Sequence, residues 1–280
     1  PNDYDRWASF ELPSWSYKNV LPYFKKIESW SGGENEYRGS SGLLPVNQST
    51  NNNPLFKAFI KSAGEAGYKI NSDMNGKDQE GFGMYDVNID KGERASVSKH
   101  YLKPAIKRKN LNTFSNTFVE KIIFDGQKAI GIEVKIKNKI EKVFANKEVI
   151  VSAGSINSPQ LLMISGVGPA NHLNELGIKL VKNLPGVGKN LQDHLETYVQ
   201  QECKTSNTLY SATKPLNKFI LGIQWFLFRS GIGAHSHLEA GGFVKSSTDQ
   251  PDPNIQFHFF PSFVIDHGLI DPKFHGFQLH

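Results

Sequence analysis

The chain has 280 residues, 38% of them hydrophobic, which is enough to build the core of one large globular domain or two ordinary ones. Its 32 lysines and arginines exceed its 27 aspartates and glutamates, but the charges are scattered, and the longest basic cluster, 103–109, indicates a solvated loop rather than a nucleic-acid interface. The one cysteine, Cys203, excludes an internal disulfide and a thiolate metal cluster, and the most apolar segment, 219–228, has about half the length that a membrane-spanning helix needs.

The first third of the chain predicts short helices and strands separated by polar loops. Aromatic and aliphatic residues recur at helical spacing over 17–29, with Ser16 placed to cap the helix. A second helix is predicted over 55–66, because its apolar residues fall on one face: Leu55, Phe56, Phe59, Ile60 and Ala63. Two strands are predicted here, at 42–46 and 84–89.

The next segment predicts a small antiparallel meander. A helix is predicted over 96–108, followed by extended chain over 112–124. Asp125-Gly126 is a hairpin signal that leads into a strand at 129–134, because Gly accepts the positive φ that such turns need. A second turn then leads into a strand at 140–144.

A strand, a turn and a helix follow the meander. The apolar run 149–151 is typical of a strand buried on both faces. The turn 152–154 leads to Ser158, a helix cap, and Pro159, at the first position of a helix over 160–165. Such a turn brings bare backbone close to a ligand, and the helix end offers unpaired N–H groups to a polar or anionic one. From shape alone, a tightly packed strand–helix unit without a ligand is the better interpretation.

The last segment predicts a helix over 215–229 and a strand over 255–260. His235, His237 and Glu239 invite interpretation as a metal site, but a third and fourth ligand at zinc-site spacing are missing, so no metal site is predicted. Alternation would place both histidines on one face of a strand. His258 is predicted to lie on a sheet face, where it either packs in the core or lines a cavity.

Two segments resemble a known family. Residues 154–168, GSINSPQLLMISGVG, match without a gap the second signature of the glucose-methanol-choline (GMC) family of flavin oxidoreductases, and residues 186–194, GVGKNLQDH, resemble its G-V-G-x-N-L-x-D-H segment. Residues 3–8, 15–17 and 20–26 are similar to the stretch that follows the flavin-contacting loop, especially in the insect-type, glucose dehydrogenase-like branch.

The resemblance implies a mixed α/β (α+β) chain within a two-domain FAD-binding fold: a Rossmann-like FAD domain and a substrate domain with antiparallel sheet and helices. Residues 1–93 are then the first segment of the substrate domain, 94–195 the second segment of the FAD domain, and 196–280 an incomplete second substrate segment. The two substrate segments are expected to share one sheet. Because the family's G-x-G-x-x-G fingerprint is absent, the chain is expected to be an internal fragment and inactive alone.

The resemblance also implies chemistry. FAD is the expected cofactor, bound by the backbone of Val119 and by the turn of Ser152, Ala153 and Gly154. The expected reaction is oxidation of a CH–OH group of an alcohol or sugar substrate by hydride transfer to the flavin, as a dehydrogenase or an oxidase with an unidentified electron acceptor. The family's catalytic His lies beyond His280, so no catalytic residue is assigned.

Two alternatives and one question stay open. The protein could be a non-catalytic relative that keeps the scaffold for binding or structure. A flavoprotein of the amine-oxidase kind is a second alternative, and the signature over 154–168 argues against it. The sequon at Asn47 favours a secreted protein, while the compartment is otherwise undetermined.

Overall fold

The computed structural model describes residues 1–270 and 272–280, and the predicted mixed α/β class is confirmed. The α-helices of the described residues are, in chain order, α1 (Asn2–Ser9), α2 (Tyr17–Ile27), α3 (Pro54–Glu65), α4 (Lys103–Ala105), α5 (Gly154–Ile164), α6 (Ala170–Glu175), α7 (Tyr210–Thr213) and α8 (Pro215–Phe228). Short 3₁₀ turns lie at Pro13–Trp15, Ile232–Ala234 and Asp266–Gly268, and a π-helical turn lies at Ser98–Leu102.

The strands of the described residues are β1 (Glu28–Trp30), β2 (Leu44–Gln48), β3 (Gly81–Met84), β4 (Asp86–Val87), β5 (Ile89–Asp90), β6 (Glu93–Arg94), β7 (Thr117–Asp125), β8 (Lys128–Ile136), β9 (Lys139–Phe144), β10 (Val167–Gly168), β11 (Lys182–Asn183), β12 (Val199–Glu202), β13 (Ala240–Val244), β14 (Ile255–Phe260) and β15 (Gly276–Leu279). The chain divides into a first unit, Pro1–Arg108 with Glu196–His280, and a second unit, Lys109–Leu195.

The first unit is built on a five-stranded antiparallel sheet with strand order β12-β15-β14-β13-β3. Strand β3 comes from the N-terminal part of the chain, whereas the other four strands follow Glu196. The two parts therefore share one sheet, as the sequence analysis expects.

Helix α3 packs its apolar face against this sheet. Phe56 is fully buried, and its ring lies edge-on to Phe259 with 5.8 Å between centroids. Phe59 stacks on Phe259 with centroids 4.9 Å apart. The helix begins at Pro54 because the Asn53 side-chain oxygen accepts a hydrogen bond of 3.0 Å from the backbone N–H of Leu55. The predicted helix and its buried face are confirmed.

A buried arginine joins distant parts of the first unit. Arg38 is 2% exposed and contacts three carboxylates: Glu28 at 2.7 Å, Asp73 at 2.5 Å and Asp86 at 2.8 Å. Its guanidinium carbon lies 4.2 Å from the centroid of the Trp30 ring. The guanidinium thus connects β1, β4 and the loop after α3.

The predicted strand 84–89 is divided among three sheets. β3 ends at Met84, β4 pairs with β2, and β5 pairs with β6. The change of partner occurs at Tyr85, because its N–H donates to the Glu239 carbonyl before β13 at 2.8 Å and its carbonyl accepts from the Ser49 N–H after β2 at 3.2 Å. Periodicity alone could not show that one run of residues changes partners twice.

The predicted helix 96–108 is reduced to the π-helical turn and α4. Pro104 has no N–H, so it cannot donate to the carbonyl four residues earlier as a regular helix requires. Residues 94–108 lie in the first unit, where Lys99 contacts Asp90 at 3.3 Å and Glu93 at 3.1 Å. Assignment of the two units to substrate and cofactor domains stays a prediction.

The second unit contains the predicted antiparallel meander, with strand order β7-β8-β9. Gly126 has φ +58° in the first turn, and Lys137 and Asn138 have φ +46° and +66° in the second. Positive φ at these positions matches the right-handed twist of the flanking strands. The meander is confirmed.

Helix α5 is joined to β7 through Ser165. The Ser165 hydroxyl oxygen accepts from the Ile122 N–H at 2.8 Å and donates to the Leu161 carbonyl at 2.6 Å. Ser165→Ala is expected to lower the free energy of unfolding by about 1–3 kcal/mol, because a buried N–H loses its acceptor. Urea unfolding of the full-length protein measures this, with the exposed Ser115→Ala as control. Equal midpoints for the two variants would contradict the argument.

The prediction of a buried strand at 149–151 is wrong for this structure. No strand of the described residues pairs with it, and Ile150 is 77% exposed. A strand exists through the hydrogen bonds to its neighbours, so an apolar run without a partner remains extended chain. Helix α5 also begins earlier than predicted, at Gly154, and Ser158 and Pro159 lie inside it.

Candidate functional site

The predicted cofactor turn lies at the beginning of α5 in the second unit. Ser152, Ala153 and Gly154 are exposed, and Gly154 has φ +89°. Ser158 reaches back from inside the helix, because its hydroxyl oxygen accepts from the Ala153 N–H at 3.0 Å. A side chain built on Gly154 would find no atom within 4 Å. The turn is thus bare backbone facing open space.

Val119 lies on β7, against which α5 packs. It pairs with Val134 and is half-buried, and a β-bulge follows it before the next pair, Lys121 with Glu133. Bulges redirect the backbone locally. The structure therefore places Val119 and the turn on two elements in contact, within one unit. That these four residues bind FAD stays a prediction.

The exposed turn fits a polar cofactor. The first N–H groups of a helix have no partner inside the helix, and they carry partial positive charge. Gly154 leaves the space in front of them open. These are the properties that the phosphate or ring edges of FAD require of a binding turn.

A separate cavity of about 700 Å³ lies within the first unit. Its wall includes the aromatic rings of Tyr85 and Phe243, the carboxylate of Asp86, and His258. From the sequence, His258 could either pack in the core or line a cavity, and the structure places it at the cavity wall. The rings of Tyr85 and His258 have centroids 5.4 Å apart.

Burial controls the ionisation of Tyr85. It raises the pKa of this phenol to about 12, although hydrogen bonding lowers it in part. The hydroxyl group donates to the Phe257 carbonyl at 2.6 Å. Tyr85 therefore stays neutral at physiological pH and acts as a wall and hydrogen-bonding group, not as a base.

Glu239 is fully buried beside the cavity. Its carboxylate accepts hydrogen bonds from the Ser49 hydroxyl and from the Ser236 N–H, the latter at 2.7 Å, and it lies 3.4 Å from the Nδ1 atom of His235. His237 has φ +69°, and burial lowers its pKa. Both histidines precede β13 rather than alternating along a strand, so the expected shared strand face is wrong.

His235, His237 and Glu239 are the side chains that invite interpretation as a metal site. Among residues 1–270 and 272–280, no group of three or more His, Cys, Asp or Glu side chains is arranged to hold a metal ion. In that same range no helix is long and apolar enough to cross a membrane.

Three residues that sequence reasoning missed lie behind His258. The Nδ1 atom of His280 lies 2.6 Å from one carboxylate oxygen of Glu196, and the Tyr198 hydroxyl donates to the other at 2.6 Å. The rings of His258 and His280 have centroids 5.9 Å apart. The sequence carries no signal for this cluster, because it depends on the register between β14 and the end of β15.

The sequon at Asn47 lies on β2. Asn47 is half-buried, and its Nδ2 atom donates to the Ile89 carbonyl at 2.7 Å. Secretion stays a prediction from the sequon.

Comparison with known proteins shows the family. Residues 1–196 match the sequence profile described as GMC oxidoreductase. The chain is 47% identical over 278 residues to a mitochondrial choline dehydrogenase of Homo sapiens, covering 99% of this chain and 47% of that protein. It is 45% identical over 278 residues to an oxygen-dependent choline dehydrogenase of Brucella ovis, covering 99% of this chain and 50% of that protein.

A solved structure has a similar fold. An FAD-dependent oxidoreductase from Chaetomium thermophilum superposes with a TM-score of 0.77 at 27% identity, covering 86% of this chain and 45% of that one. The chain belongs to the GMC oxidoreductase family, whose cofactor is FAD. It spans about half the length of the curated relatives that it matches. The insect-type, glucose dehydrogenase-like branch is not shown, since the relatives described above are choline dehydrogenases.

Proposed function

We propose that this chain belongs to an FAD-dependent oxidoreductase that oxidises the CH–OH group of a small amino alcohol of the choline type. The observation that carries the proposal is the 47% identity over 278 residues to a choline dehydrogenase. The sugar substrate that the sequence analysis left open has less support, because no relative described above is named for a sugar.

The cavity of the first unit suits such a substrate. Aromatic faces attract quaternary ammonium groups, and Tyr85 and Phe243 supply two such faces. Asp86 is on the cavity wall, and the buried Glu239 lies next to wall residues Ser236 and Leu238. Because Asp86 is already paired with Arg38, the two aromatic faces rather than this carboxylate favour an organic cation over a neutral sugar.

The chain's own residues have two tasks in this proposal. The turn of Ser152, Ala153 and Gly154, with the backbone of Val119, holds FAD, which supplies a hydride acceptor when bound. The cavity residues orient the alcohol and exclude water from it. The base that removes the hydroxyl proton is assigned to no residue of this chain.

The proposal is tested with the full-length protein. We expect a visible flavin spectrum and reduction of a dye acceptor by choline. The uncharged isostere 3,3-dimethylbutan-1-ol is expected to have a kcat/KM lower by about tenfold or more, because a desolvated cation–π contact contributes about 2 kcal/mol. Oxygen in place of the dye separates oxidase from dehydrogenase.

Three results would contradict the proposal. Faster turnover of glucose than of choline would favour a sugar substrate. Equal kcat/KM values for choline and its isostere would remove the cation argument. Bound flavin without turnover of any alcohol would favour a non-catalytic scaffold.

A further inference from the structure

His280 lies directly opposite His258, the histidine at the cavity wall, on the neighbouring stretch of chain. The His258 N–H donates to the His280 carbonyl at 2.6 Å, and the His280 N–H donates to the His258 carbonyl at 3.1 Å. Residues that exchange both backbone bonds lie directly opposite each other, with side chains on the same face of the sheet. This register explains the 5.9 Å between the two ring centroids.

Glu196 fixes the ring of His280 from the other side. One carboxylate oxygen lies 2.6 Å from Nδ1 of His280, within hydrogen-bonding distance. The other oxygen accepts from Tyr198. These bonds, together with the charges of His280 and His258, lower the pKa of the Glu196 carboxyl. Glu196 is therefore an anion, held in one orientation behind two imidazoles.

Within the pair, Glu196 is the more exposed residue and His280 is mostly buried. The Glu196 side chain is 47% exposed, whereas that of His280 is 15% exposed. His280 Nε2 is buried and has no hydrogen-bond partner among the described residues. Its ring orientation thus depends on Glu196, and His258 is the next group inward, at the cavity wall.

We propose that Glu196 and His280 are positioning residues that act through His258 on the substrate in the cavity. This inference rests on the proposed function. The carboxylate orients the His280 ring, and the His280 ring and backbone together fix how His258 presents its imidazole to the substrate alcohol. Carboxylate–histidine pairs of this kind set ring orientation and tautomer.

Other ionisable groups also face His258. Tyr85 stays neutral beside it, and Tyr198 contacts the His280 ring with centroids 5.5 Å apart. The cavity wall adds further charged or titratable side chains: Asp86, Glu93, Arg94 and His235. Among the side chains of residues 1–270 and 272–280, Glu196 is the one with a hydrogen bond to the His280 imidazole, so its replacement is the selective test.

The test compares Glu196→Gln with Glu202→Gln in the full-length enzyme. Glu202 is exposed on β12 and makes no contact with His280. Glu202→Gln therefore removes the same negative charge but leaves the bond between Glu196 and His280 intact. Glu196→Gln is expected to lower kcat for choline by about tenfold and to change KM by less than about threefold, as the loss of an orienting partner does. Flavin content and Tm are expected to be unchanged.

The pH dependence of kcat/KM is a second measurement, and a purely structural role of Glu196 would leave it unchanged. Because the Glu196 carboxylate is bonded to the His280 imidazole beside His258, its replacement is expected to alter the pH dependence of kcat/KM. Glu202→Gln is expected to leave the profile in place. His280→Gln provides a second variant and is expected to lower kcat similarly.

Each outcome decides the inference. An active wild type with equal kinetics in Glu196→Gln and Glu202→Gln overturns the positioning role and leaves the proposed function intact. A loss of activity that parallels a loss of flavin or a lower Tm also overturns it, since the pair is then only structural. A wild type that oxidises no alcohol overturns both proposals.

Discussion

Arg38→Ala is expected to destabilise the first unit by about 3–5 kcal/mol, because removal of one partner leaves buried charges uncompensated. Glu28, Asp73 and Asp86 would then repel one another at a site where the guanidinium is 2% exposed. Burial alone would lower the pKa of Arg38, but its bonds to Glu28 and Asp86 raise it. The arginine thus stays charged at physiological pH.

Urea unfolding of the full-length protein, followed by far-UV circular dichroism, measures this loss. Arg6→Ala is the matched control, because its pair with Asp3 is exposed on both sides and exposed pairs contribute about 0–1 kcal/mol. Arg38→Lys is expected to fall between them, since an ammonium cannot replace the bidentate contact with Glu28. If Arg38→Ala and Arg6→Ala lower stability equally, the carboxylates are not held by Arg38.

The sequence correctly predicted those helices and turns that are determined by residues close together in the chain. Apolar spacing gave α3 and its buried Phe56, and Asp125-Gly126 gave the hairpin between β7 and β8. The predicted helix 215–229 corresponds to α8 within one residue. In each case the helix periodicity or the turn chemistry is decided within a few residues.

Non-local pairing was the part that the sequence could not supply. The run 149–151 has the composition of a buried strand, yet strand formation needs a partner that no described residue provides. The run 84–89 reads as one strand, yet it changes partner at Tyr85. Arg38 draws carboxylates from positions 28, 73 and 86, and no spacing rule connects those positions.

The candidate site follows the same division. The position of the turn before α5 could be predicted, because the family signature and the glycine fix it locally. The cavity and the pair of Glu196 and His280 could not, because they depend on the register between β14 and the chain that follows β15. A sequence shows which residues are able to do chemistry, and strand register decides which of them meet.

Gly154→Leu is expected to abolish flavin retention in the full-length enzyme. The turn of 152–154 is exposed backbone, and a side chain built on Gly154 would project into space that is empty in this chain. If FAD occupies that space, as the sequence resemblance predicts, the leucine side chain displaces it. The measurement is the ratio of flavin absorbance near 450 nm to protein absorbance after gel filtration.

Backbone strain has to be separated from this steric effect, because Gly154 has φ +89° and leucine there costs about 1–2 kcal/mol. Gly126→Leu is the matched control. Gly126 has φ +58°, also faces open space, and lies in the hairpin of the same unit, away from the turn. Both variants are expected to lose similar stability, and only Gly154→Leu is expected to lose flavin. Stoichiometric flavin in Gly154→Leu would show that the cofactor does not approach this turn, whereas flavin loss in both variants would assign the effect to strain.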